Sequence, residues 1–165
     1  MNAKSDAGDS NVTLLETKQD VSPSRPDWLK PLIPEGTYKV AFDYHETTYH
    51  FGNVPKMGLH FRVSEFGQYV QTPLSRWYTV DRVIGKAGKK GNYRSKGQTC
   101  ILMIEYVNCF SNYPLPRRLD RIPMSPWEKH EFLVKVRNVR RNSRQKAIPA
   151  QSQYSVIDSI LGIAE

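Results

Sequence analysis

The chain has 165 residues, with 24 Lys and Arg against 16 Asp and Glu, a formal charge of +8, 39% hydrophobic and 11% aromatic residues. Its mean hydropathy is -0.58. That length holds one compact domain with its own core but hardly two, and the composition excludes a collagen-like or wholly disordered chain. No run approaches the roughly 18–20 apolar residues of a membrane span, and polar residues follow the N-terminus, so the expectation is a cytoplasmic protein with no membrane partner.

Charge is unevenly placed. Residues 1–30 and 31–75 are each near neutral, whereas residues 76–146 hold seventeen bases against five acids, and 147–165 hold two acids and no base. A concentration of this kind is the electrostatic footprint of a polyanion-binding surface; a solubilising surface is the plainer reading.

In chain order, residues 1–27 mix polar residues and Pro around one short apolar cluster, Val12-Thr13-Leu14-Leu15, and read as a disordered arm. Folded structure is expected from Trp28 onward, entered through Pro31 and Pro34. Over residues 37–45, Tyr38, Val40, Phe42 and Tyr44 alternate with Lys39, Ala41, Asp43 and His45, the period of a half-buried strand. After a turn at residues 53–56, Met57, Leu59, Phe61 and Val63 repeat the pattern, and residues 68–80 predict a third strand that Pro73 interrupts or places at an edge. Three strands with short connections imply an antiparallel meander. Residues 86–97, rich in Gly and Lys, predict a flexible loop. Residues 99–110 are apolar and long for a strand, so they predict a helix of about three turns. A strand through Phe132, Val134 and Val136 follows, then a basic hairpin-like loop over 140–146. Tyr154, Ile157, Ile160 and Leu161 fall at helical spacing behind Ser155 and predict a short C-terminal helix. The fold expected is therefore mainly β, an antiparallel sheet with a helix between strands three and four and a second helix at the end.

Catalytic signatures are missing. The segment from His45 to His50 has one residue too many for the HExxH zinc-protease motif, and on a helix its two histidines would stand about 140° apart. Residues 85–91 lack the Lys-Ser or Lys-Thr pair of a phosphate loop. Cys100 and Cys109 are too few for a disulfide scaffold or a four-cysteine zinc site, and they read as buried thiols. No metal or cofactor is expected.

Single-stranded nucleic acid needs a cationic groove for its backbone and aromatic faces for its bases. Both are interleaved here. Trp77, Tyr78 and Tyr93, with Trp127 behind them, are the candidate stacking rings, and Arg76, Lys86, Lys89, Lys90, Arg94, Arg140, Arg141 and Arg144 are the candidate phosphate contacts. Neighbours such as Trp77 and Tyr78 point to opposite faces of a strand, so one of the two belongs in the core.

The segments Leu32-Ile33-Pro34-Glu35-Gly36-Thr37-Tyr38-Lys39-Val40 and Leu59-His60-Phe61-Arg62-Val63 resemble the first two strands of phage single-stranded-DNA-binding proteins with an oligonucleotide/oligosaccharide-binding (OB) barrel. The resemblance covers about 30 residues. It implies an OB-like domain over residues 28–165 and a role in replication, recombination or transfer of a phage or mobile element. Residues 118–125 and 153–158 look like segments of uncharacterised phage and genomic-island proteins. The chain departs from bacterial single-strand-binding proteins in ending Ile160-Leu161-Gly162-Ile163-Ala164-Glu165, without an acidic tail. Single-stranded nucleic acid, DNA first, is thus the expected partner of a non-enzymatic module that is able to self-associate. Two alternatives are a protein-interaction subunit of a mobile element, docking through residues 101–106 or the C-terminal helix, and a small metal-dependent nuclease using Asp43 or Asp81.

Overall fold

The computed structural model describes residue 26 and residues 28–165, so the expected arm over residues 1–27 lies outside the described residues apart from Pro26. In chain order the elements are β1 (Gly36–His50), β2 (Val54–Val63), β3 (Pro73–Thr79), β4 (Arg82–Ile84), β5 (Gly88–Lys89), β6 (Asn92–Arg94), α1 (Ile101–Cys109), α2 (Ser125–Glu128), β7 (Glu131–Val139) and β8 (Tyr154–Ile163). The described residues are mainly β, a curled antiparallel half-barrel sheet with two α-helices. Its strands run β3-β2-β1-β7-β8, with β5 paired to the far half of β1 and a separate β4-β6 ribbon. β1 and β2 form a hairpin whose turn places Gly52 at φ 73° and Asn53 at φ 58°, left-handed conformations that glycine and asparagine tolerate best.

One face of the sheet is apolar. Met57, Leu59, Phe61 and Val63 of β2, Leu74 of β3 and Phe132, Val134 and Val136 of β7 are buried there, joined by Leu102, Met103, Tyr106 and Phe110 from the α1 region and by Trp127 of α2. Phe61, Phe110 and Phe132 meet the Trp127 ring with centroids 4.8–6.3 Å apart, geometry that adds to plain area burial.

Three sequence expectations are corrected. The segment from Tyr154 to Ile163 is strand β8, not a helix. Its ladder with β7 carries register shifts between Leu133 and Val134 and between Lys135 and Val136. Each shift inserts an unpaired residue, so Ser155, Ile157 and Ile160 are the buried ones and imitate helical spacing. A shift between Phe42 and Tyr44 acts likewise in β1: Tyr44 leaves the face of Val40 and Phe42 and stands opposite His60. The third strand is short; residues 68–72 are turns, and Pro73 begins an edge strand with no ladder bond to lose on its open side. Residues 86–97 are partly ordered as β5 and β6. The helix expected over 99–110 is α1, which follows β6.

β8 returns within 8 Å of β3 without a backbone ladder. Glu105 of α1 fills this seam: it binds Arg76 of β3 at 3.2 and 2.9 Å, accepts from the Tyr78 hydroxyl, and accepts from the Ile160 N–H of β8 at 3.3 Å. At the other end Ser155 N–H donates to Pro31 O at 2.8 Å and Ile33 N–H to Ser155 Oγ at 2.8 Å, fixing the entry segment to β8.

Candidate nucleic-acid interface

The face of β1–β2–β3 away from the core is built by the residues that alternate with the buried ones: Tyr44, Glu46 and Thr48 of β1, Lys56, Gly58, His60 and Arg62 of β2, and Ser75, Trp77 and Thr79 of β3. Across it runs a row of rings. Tyr44 stacks on His60 at 4.4 Å and 14°, His60 meets Trp77 edge-on at 5.5 Å, and His50 lies 5.1 Å from Trp77. Both His60 nitrogens are engaged, Nδ1 with Ser75 Oγ and Nε2 with Glu46 Oε1, each at 2.9 Å, so this ring is held in one orientation. Trp77 lies over Gly58, whose missing side chain makes room for it: a Cβ there would stand 2.7 Å from the indole. Lys89 Nζ closes the row 4.5 Å above the Tyr44 ring. Burial, with help from the positive charges of Lys56 and Lys30, holds the His50 imidazole below its ordinary pKa.

Beside Trp77 opens a groove of about 860 Å³, lined by Phe51 from the β1–β2 turn, by Ser75, Arg76 and Trp77, and by Arg140 and Arg141 on the β7–β8 connection. Among the described residues no carboxylate lines it. The connection is a tight hairpin: Arg141 bridges to Ala147, and Asn142 Oδ1 accepts from the N–H groups of Arg144 and Lys146 at 2.9 and 3.0 Å. Arg140 sits 3.6 Å from Glu35, an exposed pair, and such pairs are weak enough to exchange for another anion.

Of the residues singled out in the sequence, Arg76, Trp77, Arg140 and Arg141 share this groove, and Arg144 is exposed on the same hairpin. Lys86, Lys89 and Lys90 line a separate hollow of about 490 Å³ over residues 84–92, with Lys89 joining it to the ring row. Arg94 pairs with Asp81 at 3.7 Å. Tyr78, Tyr93 and Trp127 are core residues, 4%, 6% and 1% exposed, and offer no free ring face. Burial and then the Glu105 carboxylate push the Tyr78 phenol well above its usual pKa, so it stays a donor. Burial opposes the charge on Arg76, but the hydrogen bonds and charge of Glu105 outweigh it and raise its pKa. Arg76 is thus committed to the seam.

Several residues here escape a sequence reading. Phe51 is 97% exposed, and its signal is an aromatic beside the Gly52-Asn53 turn. Tyr44 and His60 become neighbours only through the β1 bulge.

The segment from His45 to His50 is strand, with His45 Nε2 3.1 Å from Gly91 O. Asp43 is paired with Arg62 at 3.0 Å. Among the described residues no group of three His, Cys, Asp or Glu is placed to hold a metal ion, Cys100 and Cys109 are unbridged, and no helix is long and apolar enough to cross a membrane.

The chain matches no protein-family model, no curated protein and no solved structure.

Proposed function

We propose that the protein is a non-enzymatic module that binds single-stranded nucleic acid, DNA in the first instance, across the outer face of β1–β2–β3. The observation that carries this reading is the position of Trp77, half-buried in a row of rings between His60 and His50 and on the wall of a groove that no carboxylate of the described residues lines. Stacking surface and phosphate-neutralising charge adjoin there, the two needs of single-strand binding. The strand order β3-β2-β1-β7-β8, with β8 curling back beside β3, adds support, being similar to that of an OB barrel. In this reading Trp77 and Phe51 receive bases, while Arg140, Arg141, Arg144 and Lys89 neutralise phosphates. Coating a strand during replication, recombination or transfer of a mobile element is the corresponding role.

The test is a fluorescence titration with single-stranded and duplex oligonucleotides of equal length over a range of salt. Preferential, quenching single-strand binding is expected, and Trp77→Ala should weaken it by about 1–3 kcal/mol. Equal, weak and wholly salt-sensitive binding to both forms would reduce the site to generic cation attraction.

A second reading, a protein-docking subunit, is favoured by α1, which leaves Ile101 60% and Ile104 50% exposed. A stable homo-oligomer with no retained nucleic acid, lost on Ile104→Lys, would select it.

A further inference from the structure

A second cavity, of about 370 Å³, adjoins the first along β3 and is lined by Lys56, Thr79, Lys96, Thr99 and Cys100 together with Trp77. Arg76 and Trp77 line both cavities, so the indole stands at the boundary between them. Among the described residues no carboxylate lines the second cavity. Lys56 Nζ donates to Thr79 Oγ1 at 2.6 Å, and neither Lys56 nor Lys96 is in an ion pair among the described residues. Two unneutralised ammonium groups and two threonine hydroxyls around a hollow beside an indole suit one phosphodiester whose adjacent base lies on that indole.

We infer that the second cavity continues the path of the bound strand: single-stranded nucleic acid runs along β3, past Trp77, and places a backbone phosphate between Lys56 and Lys96. The inference rests on the single-strand reading above and adds to it a direction and a second phosphate site, distinct from the β7–β8 hairpin.

Cys100 supplies the test, because it lines this cavity and is partly accessible. Cys109 is an internal control, since burial pushes its thiol pKa up to about 12 and a thiol needs its anion to react. Iodoacetamide alkylation of Cys100 is followed by mass spectrometry with oligothymidylates of about 4 and about 16 nucleotides, the span of single-strand site sizes. The long oligomer should slow alkylation several-fold, and a short one that quenches tryptophan fluorescence should protect Cys100 as well, because the phosphate beside a base on Trp77 enters this cavity. Lys56→Ala with Lys96→Ala should lower affinity for the long oligomer and reduce its log–log salt slope by about 0.7, the value for one phosphate contact on a single strand. Long-oligomer binding with Cys100 unprotected and the slope unchanged would overturn the path and leave the single-strand reading standing. Equal protection by thymidine monophosphate alone would also overturn it, as an isolated small-anion site. Absence of binding by either oligomer to the wild-type chain would remove the single-strand reading itself, and this path with it.

Discussion

Glu105 is a carboxylate only 6% exposed, and it ties α1 to β3 through Arg76 and Tyr78 and to β8 through the Ile160 N–H. Removing one partner of a buried ion pair leaves the other charge uncompensated, which costs about 3–5 kcal/mol. Glu105→Ala should therefore lower the unfolding free energy measured in urea by about that amount, with a correspondingly lower midpoint. Glu105→Leu with Arg76→Met, which removes both charges together, should recover most of it. Gly58 has a different part, keeping the sheet surface flat where Trp77 crosses it. In Gly58→Ala the new methyl would meet the indole at 2.7–2.8 Å, and the ring, lying on an open face, moves more readily than the strand. The expected result is a shifted tryptophan emission and weaker oligonucleotide binding, with little change in melting temperature.

At the scale of elements, the β4–β6 region depends on its attachment to β1. His45 Nε2 donates to Gly91 O, the Lys90 N–H donates to His45 O at 2.8 Å, and a Cβ at Gly91 would stand 2.9 Å from Gly88 O while overlapping the Thr47 hydroxyl. Burial holds the His45 imidazole below its ordinary value of 6.5. The unfolded chain therefore takes up a proton as pH falls through about 6.5 before the folded one does, and stability declines on acidification. Protection of the amides over residues 88–92, measured relative to their intrinsic exchange rates, should fall between pH 7 and pH 5, and His45→Gln should remove most of that dependence. The same scale explains what the sequence made legible. Alternation in β2 and β7 is regular, so their strands and buried faces were readable, as was α1 from its length. Bulges hid the rest: one sends Tyr44 to the outer face, and two in β8 turn a strand's period into a helix's. Phe51 and Lys56 belong to the site through the hairpin that folds β2 back on β1, a relation no local pattern carries. Tyr78 and Trp77 were separable only as a pair, since alternation says that one is inside without saying which.

For the whole molecule, seven of the seventeen bases over residues 76–146 fall in two basic regions, four on the β7–β8 hairpin and three around the hollow over residues 84–92. Replacing Arg140, Arg141 and Arg144 by Ala should reduce the log–log salt slope of oligonucleotide binding by about 2. Unchanged slope would place that hairpin off the strand's path. The groove beside Trp77 takes one wall from β3 and the other from the β7–β8 connection, the two sides of the seam that only side chains bridge. A strand seated there would work as a clasp: by holding both lips it would raise the melting temperature with oligonucleotide concentration and slow deuterium uptake at the Ile160 amide, far from any base it touches.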